Sequence, residues 1–301
     1  MEKRGQITIF LILGISIVLI IGLSYYAKNA KDKGALIKDI NKKVDNTDII
    51  KVYAENCLKK VSEEALFQVG EHGGYINPNG DERYDEQGVP SNYPTALFLG
   101  EKLPYYIQSL TALGITTYNT YVPDLSTINK KLTNYIAVEF EKCFNASVFE
   151  SLGINITNPV VDYQAINFDF SKTNVKVDVS LNANDVSVRL NYPLTVKKGG
   201  AETELDTFMV TLPIRLKALY ESAASLVENI KNSQPNAYHI TSDCGAYDKN
   251  GLTNVYLKNS DNAPNEIVQF VDFSTYKEKY FKSYIFQFAV KDVNVQGYCV
   301  G

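Results

Sequence analysis

The sequence predicts an α+β fold carried behind an N-terminal transmembrane helix, and three observations predict it. A charge-free apolar run opens the chain, from Ile7 to Ala27. Two later segments repeat apolar residues every three or four positions, as helices packed on one face do. Beyond Asn158 the repeat changes to two, the period of half-buried strands, and a further helical segment follows. Helices kept apart from an antiparallel meander are the mark of α+β architecture.

The apolar run, ITIFLILGISIVLIIGLSYYA, spans about 31 Å at 1.5 Å per residue, matching the hydrocarbon core of a bilayer. Tyr25 and Tyr26 end it with rings suited to the headgroup region, and Lys28 follows. A cleaved secretory signal would have a shorter apolar stretch and a small-residue cleavage site. Ser24-Tyr25-Tyr26-Ala27 offers neither, so the helix is expected to be retained. Its flanks pull in opposite directions. Lys3 and Arg4 precede the run, whereas Lys28, Lys31, Lys33, Lys38, Lys42 and Lys43 follow it, and that count alone puts the C-terminal part in the cytoplasm. A short basic start leading straight into an apolar run is how exported chains begin, and on that ground the C-terminal part is expected to be extracytoplasmic.

Residues 1–27 are thus a short cytoplasmic start and a membrane anchor. Residues 28–45 form a polar, Lys-rich stalk with Leu36, Ile37, Ile40 and Val44 at helical spacing. The main α+β ectodomain is expected over 46–236. Asp45-Asn46-Thr47-Asp48 supplies cap chemistry for a helix that buries Ile49, Ile50, Tyr53, Cys57, Val61, Ala65 and Val69 and ends at Gly70. The stretch Asn77 to Pro94, rich in Pro, Gly and acidic residues, reads as a long loop. After Pro123, Asp124 or Ser126 caps a second helix with Leu125, Ile128, Leu132, Ile136, Phe140 and Cys143 on its apolar face.

Strand signals follow. Val175, Val177, Val179 and Leu181 alternate with polar residues, as do Val186, Val188, Leu190 and Tyr192, joined around Asn182 to Asp185. Lys197-Lys198-Gly199-Gly200 turns the chain into a third strand through Phe208, Val210 and Leu212, and a helix is expected from Ile214 to Asn232. The break Ser233-Gln234-Pro235-Asn236 sets off a C-terminal β-rich segment, 237–301, with strands near Val255-Tyr256-Leu257, Glu266 to Phe273 and Tyr284 to Val290. Pattern leaves open whether this segment joins a sheet formed earlier or stands alone.

Lys3-Arg4-Gly5-Gln6-Ile7-Thr8-Ile9-Phe10 resembles the class III signal of archaeal type IV pilin-like proteins. The resemblance implies cleavage after Gly5, with Gln6 as the new N-terminus and the apolar helix left intact. Bacterial pilins usually carry Glu at the fifth mature position, which here is Phe10. Across most of the chain, Ala54-Glu55-Asn56-Cys57-Leu58, Gly73-Gly74-Tyr75-Ile76 and Asn191-Tyr192-Pro193-Leu194-Thr195-Val196-Lys197-Lys198-Gly199 look like a family of uncharacterised membrane-anchored surface proteins of DPANN archaea. That resemblance implies location and architecture and carries no activity or site residues.

Four cysteines, Cys57, Cys143, Cys244 and Cys299, lie beyond the anchor, and no pair has zinc-site spacing. Two disulfides are expected. Of the three pairings, Cys57 with Cys143 is preferred because both sit on helix faces, and Cys244 with Cys299 because they bracket the C-terminal strands. Four free thiols in a cytoplasmic domain is the competing state. Asn145-Ala146-Ser147 and Asn155-Ile156-Thr157 are glycosylation sequons, informative only if the domain is exported.

Catalytic material is sparse. His72 and His239 stand in separate segments with no ligand spacing, and no phosphate-binding loop, Walker lysine or nucleophile elbow occurs. Tyr75, Tyr105 and Tyr106 read as core rings before they read as a ligand groove. Asp81, Glu82, Asp85 and Glu86 lack the order of a calcium loop and read as solvated, and Glu63-Glu64 as ordinary helix-surface charges. No cofactor, metal or catalytic residue is expected. A net charge of -4 offers no basic field for nucleic acid.

The leading expectation is a non-enzymatic, single-pass cell-surface protein for adhesion, envelope structure or partner contact. Its partners are the lipid bilayer through the N-terminal helix, and surface proteins or other copies of itself. A type IV pilin-like filament subunit and a membrane-tethered extracytoplasmic hydrolase are the alternatives.

Overall fold

The computed structural model describes residues 46–77, 94–159, 175–234, 238–240, 253–259, 265–277, 282–293 and 295–297. The expected anchor and stalk, Gly5 and Gln6, most of the loop from Asn77 to Pro94, Cys244 and Cys299 lie outside these residues. Among the described residues no helix is long and apolar enough to cross a membrane.

Helix α1, Asn46–Glu71, carries Asp48 in its first turn, where a carboxylate offsets the helix dipole. From Val61 to Gly70 only Glu64 is exposed and Gln68 half-buried. The expected single apolar face is therefore too narrow. Glu63, read from sequence as a surface charge, is buried at 7% exposure, while Ile49, expected to be buried, is 42% exposed. Helix α2, Leu125–Cys143, covers one side of α1 through the Cys57–Cys143 bond, and the sheet strand β11, Lys282–Lys291, covers another. A helix covered on two sides buries more than one stripe.

The C-terminal end of α1 approaches β11 at backbone distance. The Tyr284 hydroxyl donates to the Leu66 carbonyl at 2.9 Å, and Gln287 Nε2 to the Glu71 carbonyl at 2.8 Å. A methyl at Gly70 would overlap the Ile285 carbonyl oxygen and lie 2.9 Å from the Tyr284 hydroxyl and Cζ. Gly70→Ala is therefore expected to destabilise the protein by about 1–3 kcal/mol, although alanine is the better helix former. A urea denaturation curve measures it, and an unchanged midpoint would mean that helix and strand separate freely. The chain then turns at Gly73 and Gly74, at φ 55° and 86°, with the Gly74 amide donating to the Val69 carbonyl at 2.7 Å. A side chain at Gly74 would strike Pro123 and Ile128 at 2.9–3.1 Å.

Three strands not anticipated from sequence follow: β1, Thr95–Phe98; β2, Glu101–Ala112; and β3, Ile115–Thr120. After α2 come a 3-10 helix, Ala146–Leu152, and a short strand β4, Asn155–Thr157. The meander is as expected: β5, Lys176–Leu181; β6, Val186–Lys198; β7, Ala201–Leu212. Asn182 closes the first turn, its amide nitrogen donating to Asp185 Oδ1 at 2.8 Å. Pro193 has no N–H to give, and the β6–β7 ladder slips between Asn191 and Leu194 while the inward alternation continues. Helix α3, Leu216–Ser233, is next, with Leu219, Ala223, Leu226, Val227 and Ile230 buried. The remaining strands are β8, Tyr238–His239; β9, Thr253–Asn259; β10, Asn265–Lys277; β11; and β12, Val295–Gln296.

The C-terminal strands do not extend the meander. Strands β9 to β11 join the early strands in a sheet of order β1-β2-β11-β10-β9, with β3 on β2, in which only the β2–β11 contact is parallel, while β8 and β12 pair with each other apart from it. The meander forms a second sheet of order β4-β6-β5, with β7 on β6. Each sheet has its aromatic core. Tyr106 stacks on Phe288 at 4.3 Å in the first, and Phe140 of α2 meets Tyr192 edge-on at 5.2 Å in the second. Helix α3 packs against the first sheet: the Tyr220 hydroxyl donates to the carbonyl of Pro123, just after β3, at 2.9 Å, and its ring meets Phe286 of β11 at 6.4 Å.

Candidate functional site

Of the described residues that the sequence marked as sites, Cys143, Asn145 and Asn155 lie along one run, from the end of α2 through the 3-10 helix to β4, and Cys57 lies on α1. Cys143 is bonded to Cys57, with the Cα atoms 5.7 Å apart, inside the usual range for a bridge. Aromatic rings roof it. The Tyr53 hydroxyl donates to the Cys143 carbonyl at 3.4 Å, and the Tyr53 ring sits 5.6 Å from Phe144 and 5.3 Å from Phe149. Cys57 is buried. Both features limit access of a reductant to the sulfurs.

Asn145 lies just past the bridge, exposed, and caps the 3-10 helix. Its Oδ1 accepts from the Ser147 amide at 3.1 Å and the Ser147 hydroxyl at 2.8 Å. Those bonds use the oxygen, while a glycan attaches to the nitrogen. Asn155 is exposed on β4, at the edge of the second sheet opposite Lys197, and Thr157 of its sequon is exposed as well. Both acceptor side chains are thus open to a transferase, separated by the 3-10 helix and the left-handed Gly153 that ends it.

Tyr192 lies beneath this corner. Its hydroxyl is buried without a hydrogen-bond partner, and its acidity is suppressed by burial and then by the nearby Glu141 carboxylate. Burial also raises Glu141 above the usual carboxylate range. An unpartnered buried hydroxyl costs desolvation with no return. Tyr192→Phe is therefore expected to be neutral or stabilising by about 1 kcal/mol, a rare outcome for a core substitution. Thermal unfolding tests it; a clear loss of stability would mean that the hydroxyl has a partner such as ordered water.

The other residues considered for chemistry are dispersed. His72 is half-buried at the end of α1, where burial lowers its basicity against weaker opposing effects from Glu71 and Glu101, and His239 is exposed on β8. Tyr105 and Tyr106 are core residues, and Tyr75 is buried under the Lys131 ammonium, 4.3 Å from the ring centroid. Among the described residues no three His, Cys, Asp or Glu side chains are grouped to hold a metal ion. No family model, curated protein or solved structure matches the chain.

One buried polar centre escaped the sequence reading. Arg215, just before α3, grips Asp272 of β10 with both arms, Nε to Oδ2 at 2.8 Å and a terminal nitrogen to Oδ1 at 2.9 Å. Ser274 adds its amide and hydroxyl to Oδ1 at 3.0 and 2.6 Å. Asp272 is 0% exposed and Arg215 8%. The Thr275 hydroxyl donates to the Asp272 carbonyl at 3.0 Å and accepts from the Tyr284 amide at 3.2 Å, so the irregular end of the β10–β11 ladder is knitted by side chains. The signal was present in composition: the chain uses lysine for its basic residues and has arginine only at Arg4, Arg83, Arg189 and Arg215. A planar fork is what a buried carboxylate requires.

Proposed function

We infer that this chain is a single-pass membrane protein that presents an α+β ectodomain outside the cell and acts by contact, not catalysis. The observation that carries the reading is the Cys57–Cys143 bridge, because stable disulfides belong to oxidising compartments. The Ile7 to Ala27 run supplies the anchor, and the exposed sequons at Asn145 and Asn155 suit an exported surface. The proposed contacts are adhesion, envelope structure or a protein partner at the surface.

External protease added to intact cells tests the reading. The ectodomain is expected to be cut without lysis, and protection until the cells are opened would overturn the orientation. The run Lys3 to Phe10 keeps a second reading in play, a type IV pilin-like filament subunit. Mass spectrometry of the native N-terminus separates the two: a chain beginning at Gln6 supports filament assembly, and one beginning at Met1 removes it.

A further inference from the structure

The far halves of β2 and β3 form a ribbon that packing does not explain. Every residue from Leu110 to Thr117 is exposed. At its tip Leu113 is fully exposed and held at φ 51°, followed by Gly114 at φ 78°, with Leu110 at 42% and Ile115 at 67% exposure beside it. The left-handed region is unfavourable for leucine, and tight hairpin turns of this kind select Asn or Asp there. The tip thus retains two costs, a strained backbone and an apolar side chain in water. Such outliers collect where function demands them.

The chemistry around the tip narrows what it meets. Between Lys102 and Asp124 no residue carries a charge. Other edges are defended in the usual way, β7 by exposed Glu202, Glu204 and Asp206 and β5 by exposed Lys176 and Asp178. The ribbon's polar groups are matched to one another: the Thr111 and Thr116 hydroxyls meet at 3.0 Å, and the Thr117 hydroxyl donates to the Leu110 carbonyl at 3.3 Å. In water such matching adds little, whereas near hydrocarbon it is needed. Tyr118, opposite Ser109, and Tyr121 stand behind the tip with amphipathic rings. From Ile115 to Tyr118 the strand advances about 10 Å, the depth to which interfacial elements enter a membrane.

We propose that the β2–β3 ribbon inserts the Leu113-Gly114 tip into the boundary between headgroups and acyl chains of a lipid bilayer. Only the tip and the first cross-strand pairs enter, so the bare outer edges of the ribbon keep their water. The contact is separate from the N-terminal helix and does not require it.

The chain contains no tryptophan, so one introduced indole reports its own surroundings. Full-length Leu113→Trp, and Ile115→Trp as a guard against damage to the turn, are placed with phosphatidylcholine vesicles with and without brominated acyl chains. Both variants are expected to shift their emission to the blue and to lose most of it to bromine. Phe273→Trp, at a half-exposed site on β10, is expected to do neither. Ribbon variants that behave like Phe273→Trp would overturn the proposal. So would emission that changes with protein concentration and ignores bromine, which would mean that the ribbon pairs with a second copy. Sedimentation of the full-length chain with vesicles follows the anchor and the tip together, so the bromine response at positions 113 and 115 is the measurement that reads the tip by itself.

Discussion

Asp272→Ala is expected to remove about 3–5 kcal/mol of stability, because it takes the bidentate carboxylate away from the buried Arg215 guanidinium. Domains are stable by about 5–15 kcal/mol in total, so the loss approaches unfolding at physiological temperature. The pair is not strong in itself, since desolvating two ions offsets most of their attraction. The cost arises from breaking one half. Arg215→Met combined with Asp272→Leu removes both charges and is expected to recover most of the stability lost by the single change. Guanidinium titrations of the three variants check this. Equal losses in the single and double variants would mean that the hydrogen bonds the Asp272 carboxylate accepts from Ser274, not the charge, hold this junction.

The second large effect belongs to the bridge. Cys57 and Cys143 are separated by 86 residues, and closing such a loop removes unfolded-state entropy equivalent to about 4.5 kcal/mol in the chain-entropy treatment. Replacing both cysteines by alanine is expected to cost nearly that much, measured as a lower denaturation midpoint under non-reducing conditions. A loss below about 1 kcal/mol would place the constraint in a denatured state that is already compact. The unaltered protein, mapped without reduction, is expected to yield a Cys57–Cys143 peptide and a Cys244–Cys299 peptide.

Much of the secondary structure was legible because period is a local property. Helices α1, α2 and α3 and strands β5 to β7 and β9 to β11 each show their spacing within a dozen residues or so. The Cys57–Cys143 pairing was legible for a related reason, as both cysteines fall on apolar helix faces. Strands β1 to β3 were not. Along β2 the stretch Leu103 to Gln108 is buried at every position, so no alternation appears, and β3 is almost wholly exposed, so none appears there either. Glu63 was misplaced for a similar reason: periodicity assumes one buried face, and α1 has two.

By itself the sequence determined the α+β class, the order of most elements and one covalent link, since those follow from short-range spacing and from the few cysteines available. The tertiary structure decided the rest. The parallel contact of β2 with β11 unites the early and C-terminal strands in one sheet, and Arg215 meets Asp272 across 57 residues. Neither leaves a periodic trace, because a long-range contact is selected by which surfaces can be buried together, and that depends on the whole chain at once.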